Sequence, residues 1–424
     1  MIEEKLNDNF SLKNGGYSNS EDTTTLPRHR WYYYKEGFSP NLVEKAIEHV
    51  GVAKGELIID PFNGGGTTTL TSSLLGHNSI GIEVNPFTSF LSDAKIKNGD
   101  IAKFKNIESD LLQSIERSAK SPLLGYSTFS EKENLKKWLF NDSVLNSFEA
   151  SWQYSNTIQS YDIRKLVKLA LISSAMKNGN AKRDGKCLRY RDNWDKNSFN
   201  KDTFSETLVN SISIIKDDIQ SNPIQSKSKI LKGDCRSVLE SSDELKNFKL
   251  CVTSPPYLNT FDYTDIYRPE LFLGKFIQTS QKLYDLRLET VRSHVQAKWE
   301  MPILSDFGLL YEQTMKHINL NRENLMHKNI PFMIQAYFED MLNILKLLKA
   351  KAAKDAQIWF VVSNSAYAGL EIPVDLIIGD IASKAGWYLK EIGVLRYVKK
   401  RKTKYSPNVT ELRESVIILS NSKF

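Results

Sequence analysis

The residues best suited to chemistry are Thr253-Ser254-Pro255-Pro256-Tyr257, which follow the short, largely apolar run Phe248-Lys249-Leu250-Cys251-Val252. That run is β-compatible. A strand ending at Ser-Pro-Pro carries stiff backbone poor in N–H donors at its carboxyl end, because proline fixes φ and lacks the amide hydrogen. The carbonyls of Ser254 and Pro255 are then left pointing outward, and Tyr257 offers a ring on which a planar substrate can stack. In open parallel α/β sheets, ligands bind outside the carboxyl ends of the strands. Pro-Pro alone marks an ordinary turn equally well, so the remainder of the chain has to decide.

A second constellation lies far upstream. Leu57-Ile58-Ile59-Asp60 reads as a central strand buried on both faces and ending in an acid. Pro61-Phe62-Asn63-Gly64-Gly65-Gly66 makes a tight loop, and Thr67 to Leu75 read as a helix closed by Gly76. Ser79-Ile80-Gly81-Ile82-Glu83 is a second strand with an acidic end, and Asn85-Pro86 starts the next helix. Glycines let a backbone approach a ligand closely, and a helix N-terminus leaves N–H groups free. Glu83 stands where a dinucleotide fold binds ribose hydroxyls. A nicotinamide or nucleotide site is the plainer reading of such a unit. However, Thr69 replaces the third glycine of the dinucleotide fingerprint, and no lysine precedes Thr67 or Thr68 as a phosphate loop requires. A ligand with a ribose but no pyrophosphate fits better. S-adenosylmethionine is such a ligand, with Asp60 facing its amino-acid end. Lys229 to Asp234 form another short strand with an acidic end, and Asp234 is placed to accept a hydrogen bond from an adenine amino group.

These elements predict an α/β fold: a Rossmann-like sheet with helices on both faces and largely helical insertions. The catalytic core is expected over 27–95, 229–257 and 346–424. Residues 96–228 form a helical insertion, and 258–345 a second insertion. Residues 1–26 are polar and read as a flexible arm. Arg28 to Lys35 mix basic and aromatic residues, which suggests a ligand-facing edge; Phe38-Ser39-Pro40 then opens a helix.

With 424 residues, the chain exceeds a single ordinary core. Its formal net charge of +7 is mild for that length, so the distribution of charge matters more than the total. Two basic stretches are candidates for phosphate contacts. One holds Lys182, Arg183, Lys186, Arg189 and Arg191; the other holds Lys399, Lys400, Arg401, Lys402 and Lys404. Three widely spaced cysteines suggest neither a disulfide framework nor a zinc site, and point to a reducing cytoplasmic setting. The six histidines form no ligand cluster, so no metal is expected. No apolar run approaches the ~20 residues of a membrane span.

Taken together, Asp60 to Thr68 and Thr253 to Tyr257 resemble the cofactor and catalytic motifs of amino-group DNA methyltransferases. The Ser-Pro-Pro-Tyr form resembles the cytosine-N4 type. The cofactor motif precedes the catalytic one, unlike the permuted subclass. The resemblance implies S-adenosylmethionine bound by Phe38, Ser39, Asp60, Pro61, Phe62, Gly64, Gly66, Thr67, Thr68, Glu83, Asn85 and Asp234. It implies a catalytic Ser254-Pro255-Pro256-Tyr257 that holds a flipped cytosine for direct in-line methyl transfer in duplex DNA. It also implies a restriction-modification role with a cognate restriction endonuclease encoded nearby, and makes 96–228 a candidate DNA-contact lobe and 258–345 a candidate target-recognition region. An adenine-N6 DNA enzyme, an RNA guanine-N2 enzyme and a non-catalytic nucleic-acid-binding subunit are the alternatives. A cytosine-C5 enzyme is excluded because none of the cysteines follows proline.

Overall fold

The structure, a computed structural model of the chain, describes residues 2–184, 187–400 and 403–423. Along the chain, β1 (Leu6–Asn7) precedes α1 (Pro40–Val50), β2 (Leu57–Asp60), α2 (Thr67–Leu74), β3 (Asn78–Glu83) and α3 (Pro86–Lys95). The first insertion holds α4 (Ile101–Arg117), α5 (Asp142–Ser155), α6 (Tyr161–Lys177), the hairpin β4 (Ala181–Asp184) and β5 (Cys187–Tyr190), and α7 (Lys201–Ser221). The chain returns through β6 (Ser228–Lys232), α8 (Cys235–Ser241) and β7 (Phe248–Thr253). A second excursion carries α9 (Tyr263–Ile266), α10 (Arg268–Leu273), α11 (Ser280–Glu289) and α12 (Leu309–Leu320). The last part contains α13 (Ile330–Lys351), β8 (Ala352–Ser363), the small hairpin β9 (Ser365–Tyr367) and β10 (Leu370–Ile372), α14 (Val374–Lys384), β11 (Tyr388–Lys399) and β12 (Glu411–Ser420).

Eight strands form one sheet in the order β1-β11-β12-β8-β7-β2-β3-β6. From β6 to β8 the pairing is parallel, whereas β12 runs antiparallel to both β8 and β11. Side chains alternate between the faces of a strand, and this splits the core in two. Cys251, Ile358, Phe360 and Val362 pack with α8, α13 and α14 on one face. Leu250, Val252, Trp359 and Val361 pack with α1 on the other. The near-continuous apolar runs of β7 and β8 follow from this two-sided burial. The fold is therefore the expected Rossmann-like α/β sheet with helices on both faces.

Three expectations need correction. The N-terminal residues are folded onto the core: Leu6 and Asn7 pair in parallel with Ile392 and Gly393 of β11, and Phe10 is buried against Gly393. A Cβ on Gly393 would sit 2.5 Å from the Phe10 ring, so the missing side chain makes the seat. The boundary expected at 345/346 falls inside the single helix α13, whose apolar face covers the sheet. Finally, the ligand-facing edge expected over Arg28 to Lys35 divides: Arg28, His29, Trp31 and Tyr32 are buried in the core and Arg30 is exposed, whereas only Tyr33, Tyr34 and Lys35 reach the cleft. The Arg28 guanidinium donates to the Lys95 and Lys97 carbonyls at 3.0 and 2.9 Å, which satisfies orphan acceptors at the end of α3. Its backbone N–H and the Trp31 indole share the buried Asp218 carboxylate. No helix among the described residues is long and apolar enough to cross a membrane.

Candidate active site

A cleft of about 650 Å³ opens beyond the carboxyl ends of β2, β3, β6 and β7. Its position follows from strand order: from the central pair β2 and β7 the chain proceeds to β3 on one side and β8 on the other. That is the switch point at which open α/β sheets leave a crevice. Phe38, Pro61, Phe62, Gly64, Thr67, Glu83, Asn85, Asp234 and all of Ser254 to Tyr257 line it. The two motifs, 186 residues apart between Thr67 and Thr253, thus meet in one cavity.

Ser254 leaves β7 with its hydroxyl donating to the Val361 carbonyl at 3.2 Å. Once that proton is directed into β8, the lone pairs on Oγ are free to accept. Tyr257 Oη lies 3.5 Å from Ser254 Oγ and donates to the buried Glu414 carboxylate at 2.8 Å. The other Glu414 oxygen receives Arg396 Nε at 2.6 Å. Burial and the adjacent Glu414 push the Tyr257 phenol well above its ordinary value, so it keeps its proton and remains the donor in this contact. Arg396 and Glu414 are direct cross-strand partners on β11 and β12, and both line the cleft. Sequence inspection missed them, since only the antiparallel pairing of two late strands brings them to Tyr257.

The remaining wall is aromatic. Tyr34 stacks on Tyr267 with centroids 5.2 Å apart, and Tyr263 meets Phe261 edge-on at 4.5 Å. The Tyr267 hydroxyl donates to Glu36, whose carboxyl is raised by burial despite that bond. A sequence signal for this wall existed in the aromatic density of residues 258–267.

At the cofactor end, each Glu83 oxygen takes one backbone N–H, from Gly64 at 2.7 Å and Asn85 at 2.8 Å. Each oxygen retains acceptor capacity, as a ribose diol requires. Burial raises the Glu83 carboxyl above its ordinary value. Asn63 lines the same wall and carries a buried Nδ2 without a partner among the described residues, an unmet donor. The Gly65 carbonyl accepts from Lys95 Nζ at 3.3 Å, and complete burial lowers that ammonium to about 7. A cleft of this size, with an acid that keeps spare acceptor capacity, an unmet donor and an aromatic wall, fits S-adenosylmethionine.

Four expected cofactor contacts lie elsewhere. Asp60 is 1% exposed and off the cleft; its Oδ1 accepts from Thr253 Oγ1 at 2.6 Å and from the Phe62 N–H at 3.0 Å, tying β2 to β7. Desolvation raises its carboxyl to about 7. Thr68 Oγ1 donates to the Val252 carbonyl at 2.8 Å, and a Cβ on Gly66 would strike Ser92. Ser39 caps α1 by accepting from the Asn41 N–H. These residues build the wall from behind. Asp234 does line the cleft, but both its oxygens already bind Arg236, so any cofactor amine there competes with a guanidinium.

The basic stretches divide similarly. Arg183 is half-buried and ion-paired to Glu270, with its guanidinium 4.2 Å from the Tyr267 ring centroid. It supports the aromatic wall and is unavailable to a phosphate. Arg191 is half-buried and donates to the Gly179 carbonyl at 2.8 Å beyond the end of α6. Lys182 and Arg189 are exposed, Arg189 pairing with Asp184 at 3.2 Å. Lys399 and Lys404 are exposed and Lys400 is half-buried. Register places their hairpin at the edge of the sheet from which Ser254 emerges, because Glu414 pairs with Ser363 at the end of β8. Lys186, Arg401 and Lys402 lie outside the described residues. No group of three His, Cys, Asp or Glu among the described residues could hold a metal ion.

Comparison with known proteins agrees with this geometry. A DNA methylase family model matches residues 3–89. The Type II methyltransferase M.BsoBI of Geobacillus stearothermophilus is 30% identical over 429 residues, covering 88% of this chain and 81% of the relative. The Type II methyltransferase M.AvaI of Anabaena variabilis is 26% identical over 402 residues, covering 87% and 81%. The Type II methyltransferase M.MvaI of Kocuria varians is 22% identical over 408 residues, covering 90% and 86%. The chain therefore belongs to the amino-group Type II DNA methyltransferases, enzymes that draw their methyl group from S-adenosylmethionine.

Proposed function

We propose that this enzyme methylates the exocyclic N4 amine of cytosine in duplex DNA, with the target base turned out of the helix into the cleft. One observation carries the reading: the Ser254 hydroxyl donates into β8, leaving an acceptor at the end of a strand beside an aromatic wall. The amine of cytosine is a poor nucleophile because its lone pair is delocalised into the ring. Acceptors on its N–H groups favour a pyramidal nitrogen and stabilise the positive charge that grows on it. Ser254 Oγ and the Pro255 carbonyl fill that role, at ~3 kcal/mol for each good contact. Tyr257, held by Glu414, and the Tyr34–Tyr267 wall confine the base. S-adenosylmethionine supplies the methyl group on an electrophilic sulfonium. The chain's contribution is positioning, so that the amine meets that carbon in line. Extruding the base costs a few kcal/mol, which binding of the duplex must offset. Exposed cations at Lys182, Arg189, Lys399 and Lys404 are the proposed backbone contacts, and a cognate endonuclease encoded nearby is the proposed biological partner.

The test is product identity. Duplex DNA incubated with labelled S-adenosylmethionine should yield N4-methylcytosine on nucleoside chromatography; N6-methyladenine instead would refute the proposal. Ser254→Ala should lower kcat by about 10²–10³ with cofactor affinity nearly unchanged. Parallel loss of both would assign Ser254 to folding.

A further inference from the structure

A second cleft, of about 490 Å³, adjoins the catalytic one, and His294 lines both. The Trp299 indole packs edge-on against that imidazole at 5.1 Å and donates to the His294 carbonyl at 3.0 Å, which builds a shared wall. Lys298, Arg322 and Lys328 line the second cleft. All three are exposed, and among the described residues none is engaged in an ion pair. Beside them the chain projects apolar side chains into solvent: Met301 is 74% exposed and Ile303 89%.

This tip is held in place. Glu339 Oε1 accepts the backbone N–H of both Ile303 and Leu304 at 2.8 Å, and Gln335 donates to the Leu304 carbonyl at 2.9 Å. Glu339 is itself buried and receives Arg292 at 2.7 Å. A bonded network thus fixes the backbone of an apolar side chain that has nothing to pack on. Arg322 donates to Asn319 Oδ1 at 2.7 Å but to no carboxylate, and exposed cations outside any ion pair around a rigid apolar tip match a partner with an anionic exterior and a stacked apolar interior. Duplex DNA has both, and apolar wedges between base steps are a known way to open a stack.

We infer that Met301 and Ile303 form a wedge that enters the duplex beside the target base, while Lys298, Arg322 and Lys328 hold the flanking phosphates. This rests on the proposal above that duplex DNA presents an extruded base. The substrate for the test is a short duplex bearing the site that the wild-type enzyme methylates, located by sequencing methylated plasmid. The double variant Met301→Ser/Ile303→Ser should keep the wild-type melting temperature, since both side chains are exposed. It should lose about tenfold or more of its duplex methylation rate and recover most of it when a mismatch faces the target, because extrusion then costs less. The triple variant Lys298→Gln/Arg322→Gln/Lys328→Gln should reduce the salt slope of binding by roughly 2.7, about 0.9 for each phosphate contact. Equal loss on paired and mismatched duplexes, no loss on either, or an unchanged salt slope overturns the inference. So does a wild-type dimer that the double variant dissociates, since a second copy would then occupy the tip. Wild-type enzyme that methylates no duplex DNA would instead sink the functional proposal itself.

Discussion

At the end of β2, Asp60 receives both of its hydrogen bonds on one oxygen, from Thr253 and from the Phe62 N–H. An asparagine can keep both through its carbonyl oxygen. Desolvation raises the Asp60 carboxyl from its ordinary 3.8 to about 7. In an acid whose folded value is raised, the folded state holds the proton over a range where the unfolded chain has released it. Stability therefore falls as pH rises from about 4 to about 7 and is constant above. Asp60→Asn should match the wild type below about pH 4, become progressively more stable through that window, and stay more stable above it by a few kcal/mol. Thermal melts across the range test this; a variant less stable at every pH would mean that the ionised carboxylate is required. Cofactor affinity should be unchanged, because Asp60 does not line the cleft.

At the level of elements, two late strands complete the turn proposed to be catalytic. β11 and β12 run antiparallel, pair Arg396 with Glu414, and deliver that carboxylate to Tyr257. In the proposed reaction Glu414 acts through Tyr257, as a positioning residue. Glu414→Ala should lower kcat about 10- to 100-fold with little change in cofactor affinity, and a double-mutant cycle identifies the route. If the phenol is the intermediary, adding Tyr257→Phe should cost little more than the worse single change. Additive losses would place Glu414 outside this path. The loop between β2 and α2 is confined just as closely: a Cβ on Gly65 would lie 2.5 Å from Tyr34 Cβ, so the glycine allows the aromatic wall to close over the loop.

Across the whole molecule, basic residues adjacent in sequence serve different ends. The first insertion has its own apolar core, shared with α3 and α10. Arg183 is anchored at its edge by Glu270, which is fully buried. Arg183→Gln would leave that carboxylate without its cation and should cost roughly 3–5 kcal/mol of stability, read as a lower melting temperature. Lys182→Gln/Arg189→Gln should leave stability within about 0.5 kcal/mol and, if these side chains meet phosphates, reduce the salt slope by up to about 1.8. A destabilised surface double variant, or an Arg183 variant as stable as wild type, would reverse this division.

The sequence by itself determined the strand ends and their chemistry. Asp60, Glu83 and Ser254 end or follow short apolar runs of the kind that two-sided burial in a parallel sheet demands, and Asp234 follows the mixed edge strand β6. Helix starts at Ser39-Pro40 and Asn85-Pro86 were equally legible, since capping is local chemistry. Only tertiary structure decided which of these residues face the cleft and which stand behind it. Asp60 and Thr68 turn to bind β7, the Arg28 guanidinium is held in the core by the Lys95 and Lys97 carbonyls, and Arg183 is held by Glu270, all far away in sequence. The Arg396–Glu414–Tyr257 chain likewise exists only once β12 lies between β8 and β11. A local pattern fixes where a side chain sits on its own element, whereas its partner is chosen by the packing of elements that the pattern does not contain.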